Sequence, residues 1–165
     1  MSDRPEPLSP TALRSRALAF LSRREHSQQE IRAKLAELGG SPEVIDAILA
    51  EFAERQWQSD DRFAAAFVRQ ESRKGHGPLT IRQSLKQRGV NDDLIRNALE
   101  AEDWFALAAS VRQRKFGEVL PSDRKEQARQ LRFLQYRGFS SDHCRYALRP
   151  TDDCVFSPRT LPALP

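Results

Sequence analysis

This chain of 165 residues has little of what catalytic and metal-binding sites usually require. It contains few cysteines and histidines, namely Cys144, Cys154, His26, His76 and His143. Their spacing matches no zinc motif, so both thiols are expected to remain reduced. No apolar run approaches the roughly 20 residues that cross a bilayer, and the start, MSDRPEPLSP, lacks the basic and apolar segments of a secretory signal. We therefore expect a soluble, cytoplasmic protein.

Candidate catalytic groups are also few. The carboxylate pairs Asp60-Asp61 and Asp92-Asp93 fall where helices are predicted to begin, and acidic residues there stabilise the positive end of the helix dipole. The stretch 75–77, Gly-His-Gly, lacks the Gly-Lys-Ser/Thr ending of a phosphate-binding loop. The sequence therefore predicts no enzyme, no cofactor and no metal.

What the chain does have is an internal repeat of about fifty residues. Three stretches place apolar residues at helical spacing on both sides of a glycine: 35–49, 85–99 and 134–148. The glycines are Gly39, Gly89 and Gly138, and each is placed to take the left-handed conformation that ends a helix. A fixed period of this length indicates a modular array. Fifty residues leave room for three short helices in each unit.

Helix-capping signals divide each repeat into three helices. In the first repeat, Ser9-Pro10 starts a helix to about Glu25, a capping box at 27–30 starts one to Leu38, and Ser41-Pro42 starts the last. Further helices are predicted from Asp60, Gly77-Pro78 and Asn91, and over Trp104–Lys115, Ser122–Arg137 and Ser140–Leu148. The predicted fold is all-α, with repeats at 9–56, 57–103 and 104–149. Residues 1–8 and 150–165 are predicted to be disordered.

The last repeat departs from the apolar pattern. His143 and Cys144 stand where the second repeat has Leu94 and Ile95. We interpret this as a terminal repeat with no neighbour to bury it.

Positive charge increases along the chain. Residues 1–60 carry eight basic and ten acidic residues, 61–103 carry eight and seven, and 104–165 carry eleven and six. Attraction to polyanions should therefore increase toward the carboxyl end. A helix-turn-helix that reads DNA bases is disfavoured, because the third helices of the first two repeats carry acidic residues that phosphate would repel.

The basic residues cluster at the ends of first helices and along second helices. The candidate binding residues are Arg69, Arg73, Lys74, Arg82, Lys86, Arg88, Arg112, Arg114, Lys115, Arg129, Arg132 and Arg137. Arg82 and Lys86 are four apart and Arg129 and Arg132 are three apart, so each pair shares a helical face. Equivalent stripes are expected to recur along one side of the array and to suit a long polyanion or an acidic groove. The alternative is that these charges only cover a solvated surface.

Three segments resemble the RecX family of bacterial recombination regulators. They are WQSDDRFAAAFV at 57–68, IRQSLKQRGV at 81–90 and RFLQYRGFS at 132–140, within a resemblance that covers about 12–148. The resemblance implies an elongated crescent of three tandem three-helix repeats that binds RecA filaments on DNA. It also implies inhibition of RecA's ATPase, strand exchange and co-protease activities, without enzymatic activity, in recombination and the SOS response.

Two features differ from that family pattern. Residues 1–60 are net acidic, and the second helix of the first repeat has only Arg32 and Lys34 as basic residues; the tail after Pro150 has no counterpart. The leading hypothesis is a monomer that binds RecA and RecA–DNA filaments and, more weakly and without sequence preference, DNA. The alternative is a general nucleic-acid-binding helical array with no specific protein partner.

Overall fold

The computed structural model describes residues 6–150, and the regular elements there are nine α-helices, with no strand. Their bounds are α1 (Pro10–Arg23), α2 (Gln28–Glu37), α3 (Pro42–Glu54), α4 (Asp60–Arg73), α5 (Pro78–Gln87), α6 (Asp92–Leu99), α7 (Trp104–Phe116), α8 (Arg124–Tyr136) and α9 (Ser141–Ala147). None of these helices is long and apolar enough to cross a membrane. The all-α prediction is confirmed, as are the left-handed glycines that follow α2, α5 and α8.

The helices belong to two compact units. Of the described residues, those through Lys74 together with Thr80–Glu102 form the first unit, and Gly75–Leu79 with the residues from Asp103 onward form the second. Helices α1 to α4, most of α5, and α6 therefore lie in the first unit. Helices α7 to α9 and the turn before α5 lie in the second.

The first three helices enclose a single apolar core. Its buried members are Leu13, Ala17, Ile31, Leu35, Ile45, Ile48, Leu49 and Phe52. Leu8 packs against this cluster, and its N–H donates to the Leu38 carbonyl at 3.4 Å. Within the segment 1–8 that is predicted to be disordered, Leu8 thus contacts the folded core, because its apolar side chain is partly buried and its N–H has a carbonyl acceptor. Residues 1–5 lie outside the described part.

Side-chain caps set where the helices begin. Ser9, Ser27 and Asn91 accept hydrogen bonds from backbone N–H groups of their own helices, as predicted. The prediction that Asp60 caps α4 is wrong, because Ser59 accepts from the Arg62 N–H instead. Both residue types cap helices well. Here the serine occupies the cap, and the Asp60 carboxylate is left to contact a neighbouring helix.

That neighbour is α2, and the contact is part of a polar joint inside the first unit. The Ser27 Oγ donates to the Arg88 carbonyl at 2.8 Å, and the Gln28 N–H donates to Asp60 Oδ1 at 2.8 Å. Gln58 Nε2 donates to the His26 carbonyl at 3.2 Å. We call this group the Ser27 joint. It ties the start of α2 to the end of α5 and the start of α4.

The second unit buries residues from α7, α8 and α9 with the turn that follows α8. The core residues are Trp104, Ala108, Val111, Leu134, Phe139, Cys144 and Ala147. Cys144 is fully buried, so our interpretation that this position lacks cover is wrong: α9 packs its inner face closely on α7. The other cysteine, Cys154, lies outside the described residues.

The turn before α5 completes the second unit. The Gly77 N–H donates to the Arg137 carbonyl at 2.7 Å, and the Leu79 N–H donates to the Gly138 carbonyl at 3.0 Å. A Cβ at Gly77 would overlap the carbonyl group of Gly138. Glycine is therefore required there by close backbone approach.

Candidate binding surfaces

The first unit exposes two basic pairs. Arg69 and Arg73 are exposed and four residues apart on α4, and Arg82 and Lys86 have the same spacing on α5. Lys86 forms a 3.2 Å ion pair with Asp92, in which both side chains are more than half exposed. Such an exposed pair contributes little and exchanges easily. The charges of these four residues can therefore reach a partner.

Two other predicted residues of the first unit are held by carboxylates. Arg88 forms a 3.4 Å ion pair with Glu30, and its guanidinium lies 4.7 Å from the Phe67 ring centroid. Lys74 Nζ lies 2.7 Å from Glu71. Both basic residues line a cavity of about 250 Å³ whose apolar part includes Phe67. Their charges are compensated within the unit, so Arg88 serves the Ser27 joint more than an external surface.

Arg112 differs from the exposed arginines because it lies inside the second unit. Only 4% of its surface is exposed. Its guanidinium donates to the carbonyls of Gly117 at 3.0 Å and Glu118 at 3.4 Å, and to Gln130 Oε1 at 3.3 Å. Burial lowers the pKa of this guanidinium. The prediction that Arg112 contacts a partner is corrected: the loop after α7 needs a buried donor for its carbonyls, and Arg112 supplies it.

The end of α7 combines basic and aromatic side chains. Arg114 and Lys115 are exposed. The Phe133 ring centroid lies 5.8 Å from Lys115 Nζ and 5.2 Å from the guanidinium carbon of Arg137. These contacts orient the cations without neutralising them. Lys115 and Arg137 therefore flank one aromatic ring of α8.

The outward side of α8 carries the densest positive charge. Lys125, Arg129 and Arg132 are exposed and recur at intervals of four and three residues, and Tyr136 follows four residues later with 90% of its surface exposed. We call these four residues the α8 face. Arg129 forms an ion pair with Glu126 at 3.2 Å, its guanidinium carbon lies 5.4 Å from the Phe116 ring centroid, and its side chain is 64% exposed. Tyr136 was not among the predicted site residues.

The basic stripes of α5 and α8 are not equivalent, contrary to our prediction. Arg82 and Lys86 lie seven and three residues before Gly89, whereas Arg129 and Arg132 lie nine and six residues before their own glycine. At about 100° per residue, the α8 face points nearly opposite the buried side of its helix. The α5 pair lies on the flank of its helix. The second and third repeats therefore share a fold but carry their positive charge on different sides of the second helix.

The remaining reactive groups are placed for structure. The Cys144 thiol is buried, burial raises its pKa, and Sγ donates to the Phe139 carbonyl at 3.8 Å. His143 reaches the Ser140 N–H with Nδ1 as part of a capping box. Within residues 6–150, no three His, Cys, Asp or Glu side chains gather as a metal site requires. Exposed arginines, lysines and a tyrosine make the described surfaces suited to binding.

The chain is therefore a protein of three-helix repeats with exposed basic faces. Family models give the particular family. The model of the first three-helix domain of RecX matches 14–52, that of the second matches 59–99, and that of the third matches 101–148. The chain belongs to the RecX family, as the resemblance predicted.

Similar proteins are named as regulators. The regulatory protein RecX of Halorhodospira halophila is 45% identical over 144 residues, which cover 86% of this chain and 89% of the relative. That of Vibrio vulnificus is 44% identical over 134 residues, covering 80% and 88%. Homologues of this chain are therefore regulatory proteins by name.

Solved structures share the fold. The crystal structure of RecX from Lactobacillus salivarius superimposes with a TM-score of 0.73 over 84% of this chain and 93% of that one, at 21% identity. A second RecX crystal structure gives 0.71 over 82% and 71%, at 27% identity.

Proposed function

We propose that this chain is a non-enzymatic regulator of RecA. It binds RecA and RecA–DNA filaments and inhibits RecA's ATP hydrolysis, strand exchange and co-protease activity, and so modulates recombination and the SOS response. It acts as a cytoplasmic monomer, with repeats at 9–56, 57–103 and 104–149. The observation that carries the proposal is membership of the RecX family across all three repeats.

The exposed basic surfaces support the proposal. A filament on DNA presents phosphate charge, and arginine and lysine bind phosphate through charge-assisted hydrogen bonds. We assign the contacts to Arg69 and Arg73, to Arg82 and Lys86, and to the α8 face. Arg114, Lys115 and Arg137 add charge near that face. Lys74 and Arg88 contribute less, because carboxylates hold them.

The test is RecA-catalysed ATP hydrolysis on single-stranded DNA with increasing amounts of each variant. Two doubles reverse the charge of exposed pairs: R82E/K86E on α5 and R129E/R132E on α8. Each exposed substitution should change stability by about 0.5 kcal/mol or less. Binding to the filament should nevertheless weaken, with a loss of about 1–3 kcal/mol of binding free energy.

The matched control is R16E/R23E on α1. Both arginines are exposed, so this double makes the same change in net charge at residues that are not part of the proposed surfaces. It should inhibit like the parent protein. If both α5 and α8 doubles also inhibit like the parent, the basic faces are only solvated surface and the assigned contacts are wrong.

A second candidate function is general nucleic-acid binding, which the α8 face favours because it combines three cations with an exposed aromatic ring. Binding is measured with naked DNA, with RecA alone and with the RecA–DNA filament. The regulator proposal expects the tightest binding to the filament and measurable binding to RecA alone. Equal affinity for naked DNA and filament, with none for RecA, would favour the second function.

A further inference from the structure

The α8 face is a continuous strip along one side of a helix. Its members are Lys125, Arg129, Arg132 and Tyr136, and intervals of four, three and four residues keep them on one side. The opposite side of α8 carries Leu134, which is fully buried. The strip therefore projects away from the core of its unit.

Tyr136 is the residue of this strip that the fold explains least. It is 90% exposed at the last residue of α8, so its ring contributes little burial to stability. The corresponding position, two residues before the glycine, holds Glu37 in α2 and Gln87 in α5. A polar residue therefore satisfies this helix position in the other repeats. The aromatic ring is specific to the third repeat.

The surroundings of the ring favour a nucleic acid over a protein surface. Its neighbours on the helix surface are Arg132, four residues before it and exposed, and Phe133, three residues before it and half-buried, with the cations of Lys115 and Arg137 against its ring. An aromatic anchor in a protein interface usually lies among apolar contacts that exclude water, whereas the one aromatic neighbour on this surface, Phe133, is itself contacted by two cations. An exposed ring in line with cations is the arrangement that binds single strands, since the bases stack on the ring and the cations follow the backbone.

An aromatic ring that stacks on bases discriminates between single and double strands. In a duplex, each base is already stacked on its neighbours, so its face is not available unless the stack opens. An unpaired base offers its face without that cost, and every base has one, so stacking is tolerant of sequence. Cations alone would bind both forms through phosphate.

We propose that the α8 face is a binding site for single-stranded nucleic acid. Tyr136 stacks on an unpaired base, while Lys125, Arg129 and Arg132 contact the flanking phosphates. The site therefore prefers a single strand over a duplex of the same length. This inference deepens the proposed function and rests on its DNA-binding part, but it does not require RecA.

The experiment uses the full chain and three fluorescent probes of equal length. They are an oligothymidylate, an abasic oligonucleotide with the same phosphates but no bases, and a duplex, each of about 20 nucleotides to exceed one site. The protein variants are the parent, Y136A and Y136F. Fluorescence anisotropy gives each dissociation constant, and circular dichroism checks that helicity is unchanged.

Affinity should be lost only for the probe that has unpaired bases. Y136A should weaken oligothymidylate binding about 5- to 150-fold, as loss of one stacked base predicts. Binding to the abasic strand and to the duplex should change by less than about twofold, because the phosphate contacts remain. Y136F keeps the ring and should bind oligothymidylate like the parent.

The inference is overturned if Y136A binds oligothymidylate like the parent, or if it loses affinity equally for the abasic strand. It is also overturned if Y136A binds all three probes normally but inhibits RecA less, since the ring would then contact protein. Failure of the regulator proposal looks different. In that case the parent does not inhibit RecA, while the order of affinities among the three probes stays as expected.

Discussion

Helices α2 and α8 occupy the same place in their repeats and use it in opposite ways. Nine residues before its glycine, α2 has Glu30, which forms ion pairs with Arg24 at 3.1 Å and Arg88 at 3.4 Å. At that position α8 has Arg129, which is 64% exposed. One helix position can therefore hold a unit together in one repeat and present charge to solvent in another.

The first turns of these two helices differ in the same sense. Ser27 is fully buried and forms a capping box with Glu30, whereas Asp123 makes no side-chain cap hydrogen bond to α8. The start of α2 is thus fixed by contacts to other helices. The start of α8 depends on its own backbone and on Gln127, whose Nε2 donates to the Pro121 carbonyl at 3.0 Å.

Substitution of the buried leucine that α2 and α8 share should cause the greatest loss of stability. Leu35 and Leu134 both lie four residues before the glycine and are fully buried. Replacing either by alanine leaves a cavity and should lower the free energy of unfolding by about 2–5 kcal/mol. Urea denaturation followed by circular dichroism measures this. A small loss at Leu134 alone would mean that the third repeat is packed less tightly than the first.

Loss of the capping serine should destabilise α2 more than α9. Ser27→Ala removes the cap of α2 and also leaves the Arg88 carbonyl without its donor at 2.8 Å, so we expect a loss of about 2–3 kcal/mol. The matched control, Ser140→Ala, removes a capping box on α9 and should cost about 1 kcal/mol. Equal losses would show that the Ser27 joint adds no stability beyond the cap.

A smaller effect tests the outward position of α8 through salt dependence. If about four to six phosphates of duplex DNA are contacted, the slope of log affinity against log salt should be near −4 to −5. Arg129→Gln with Arg132→Gln should make it shallower by about 2. The same exchange at Arg16 and Arg23 should leave the slope unchanged. A parent affinity that is insensitive to salt, or strongly sequence-specific, would contradict phosphate binding.

The smallest effect concerns pH and the buried His26. Its Nδ1 lies 3.0 Å from the Arg24 carbonyl and its Nε2 lies 3.4 Å from Lys34 Nζ, an arrangement that suits the neutral ring. Burial, the largest cause, lowers the pKa of His26 below the ordinary 6.5; the hydrogen bond to the Arg24 carbonyl opposes this, and the charges of Arg24 and Lys34 reinforce it. Protons therefore bind the unfolded chain first as the pH falls.

Stability should consequently be full above about pH 6.5 and decrease between that value and the lower folded pKa of His26. Burial also lowers the pKa of His143, so the second unit should respond in the same direction. Denaturation of the parent, His26→Gln and His143→Gln between pH 8 and pH 5 measures how much each histidine contributes to the pH dependence of the free energy of unfolding. Parent stability that rises on acidification would contradict this sign.

Much of the fold could be predicted because its signals are local. Capping serines, prolines at first helical positions and the repeated glycines place helix ends within two residues of those observed, as for α1, predicted to Glu25 and ending at Arg23. The choice between Ser59 and Asp60 could not be made, since both cap well. Which residue is then left to contact α2 depends on tertiary packing.

The candidate site was less predictable, because exposure depends on contacts distant in sequence. In the sequence, Arg112 looks like one more member of a basic cluster. Only the folded loop over 117–119 shows that its guanidinium is buried and donates to carbonyls of that loop. Tyr136 could have been found by aligning the repeats on their glycines, which places it against Glu37 and Gln87. RecA as partner comes from the family resemblance, not from the physical pattern.

The Ser27 hydroxyl has a further consequence for how the first unit melts. It accepts a hydrogen bond from the Glu30 N–H at 3.1 Å and donates one to the Arg88 carbonyl at 2.8 Å. Because both bonds use the same hydroxyl, unfolding of the start of α2 also breaks a bond at the end of α5. In repeat proteins, such nearest-neighbour terms decide whether modules unfold one by one or as a block. The six helices of this unit should therefore unfold in a single cooperative transition, in which no state with only one intact three-helix bundle accumulates.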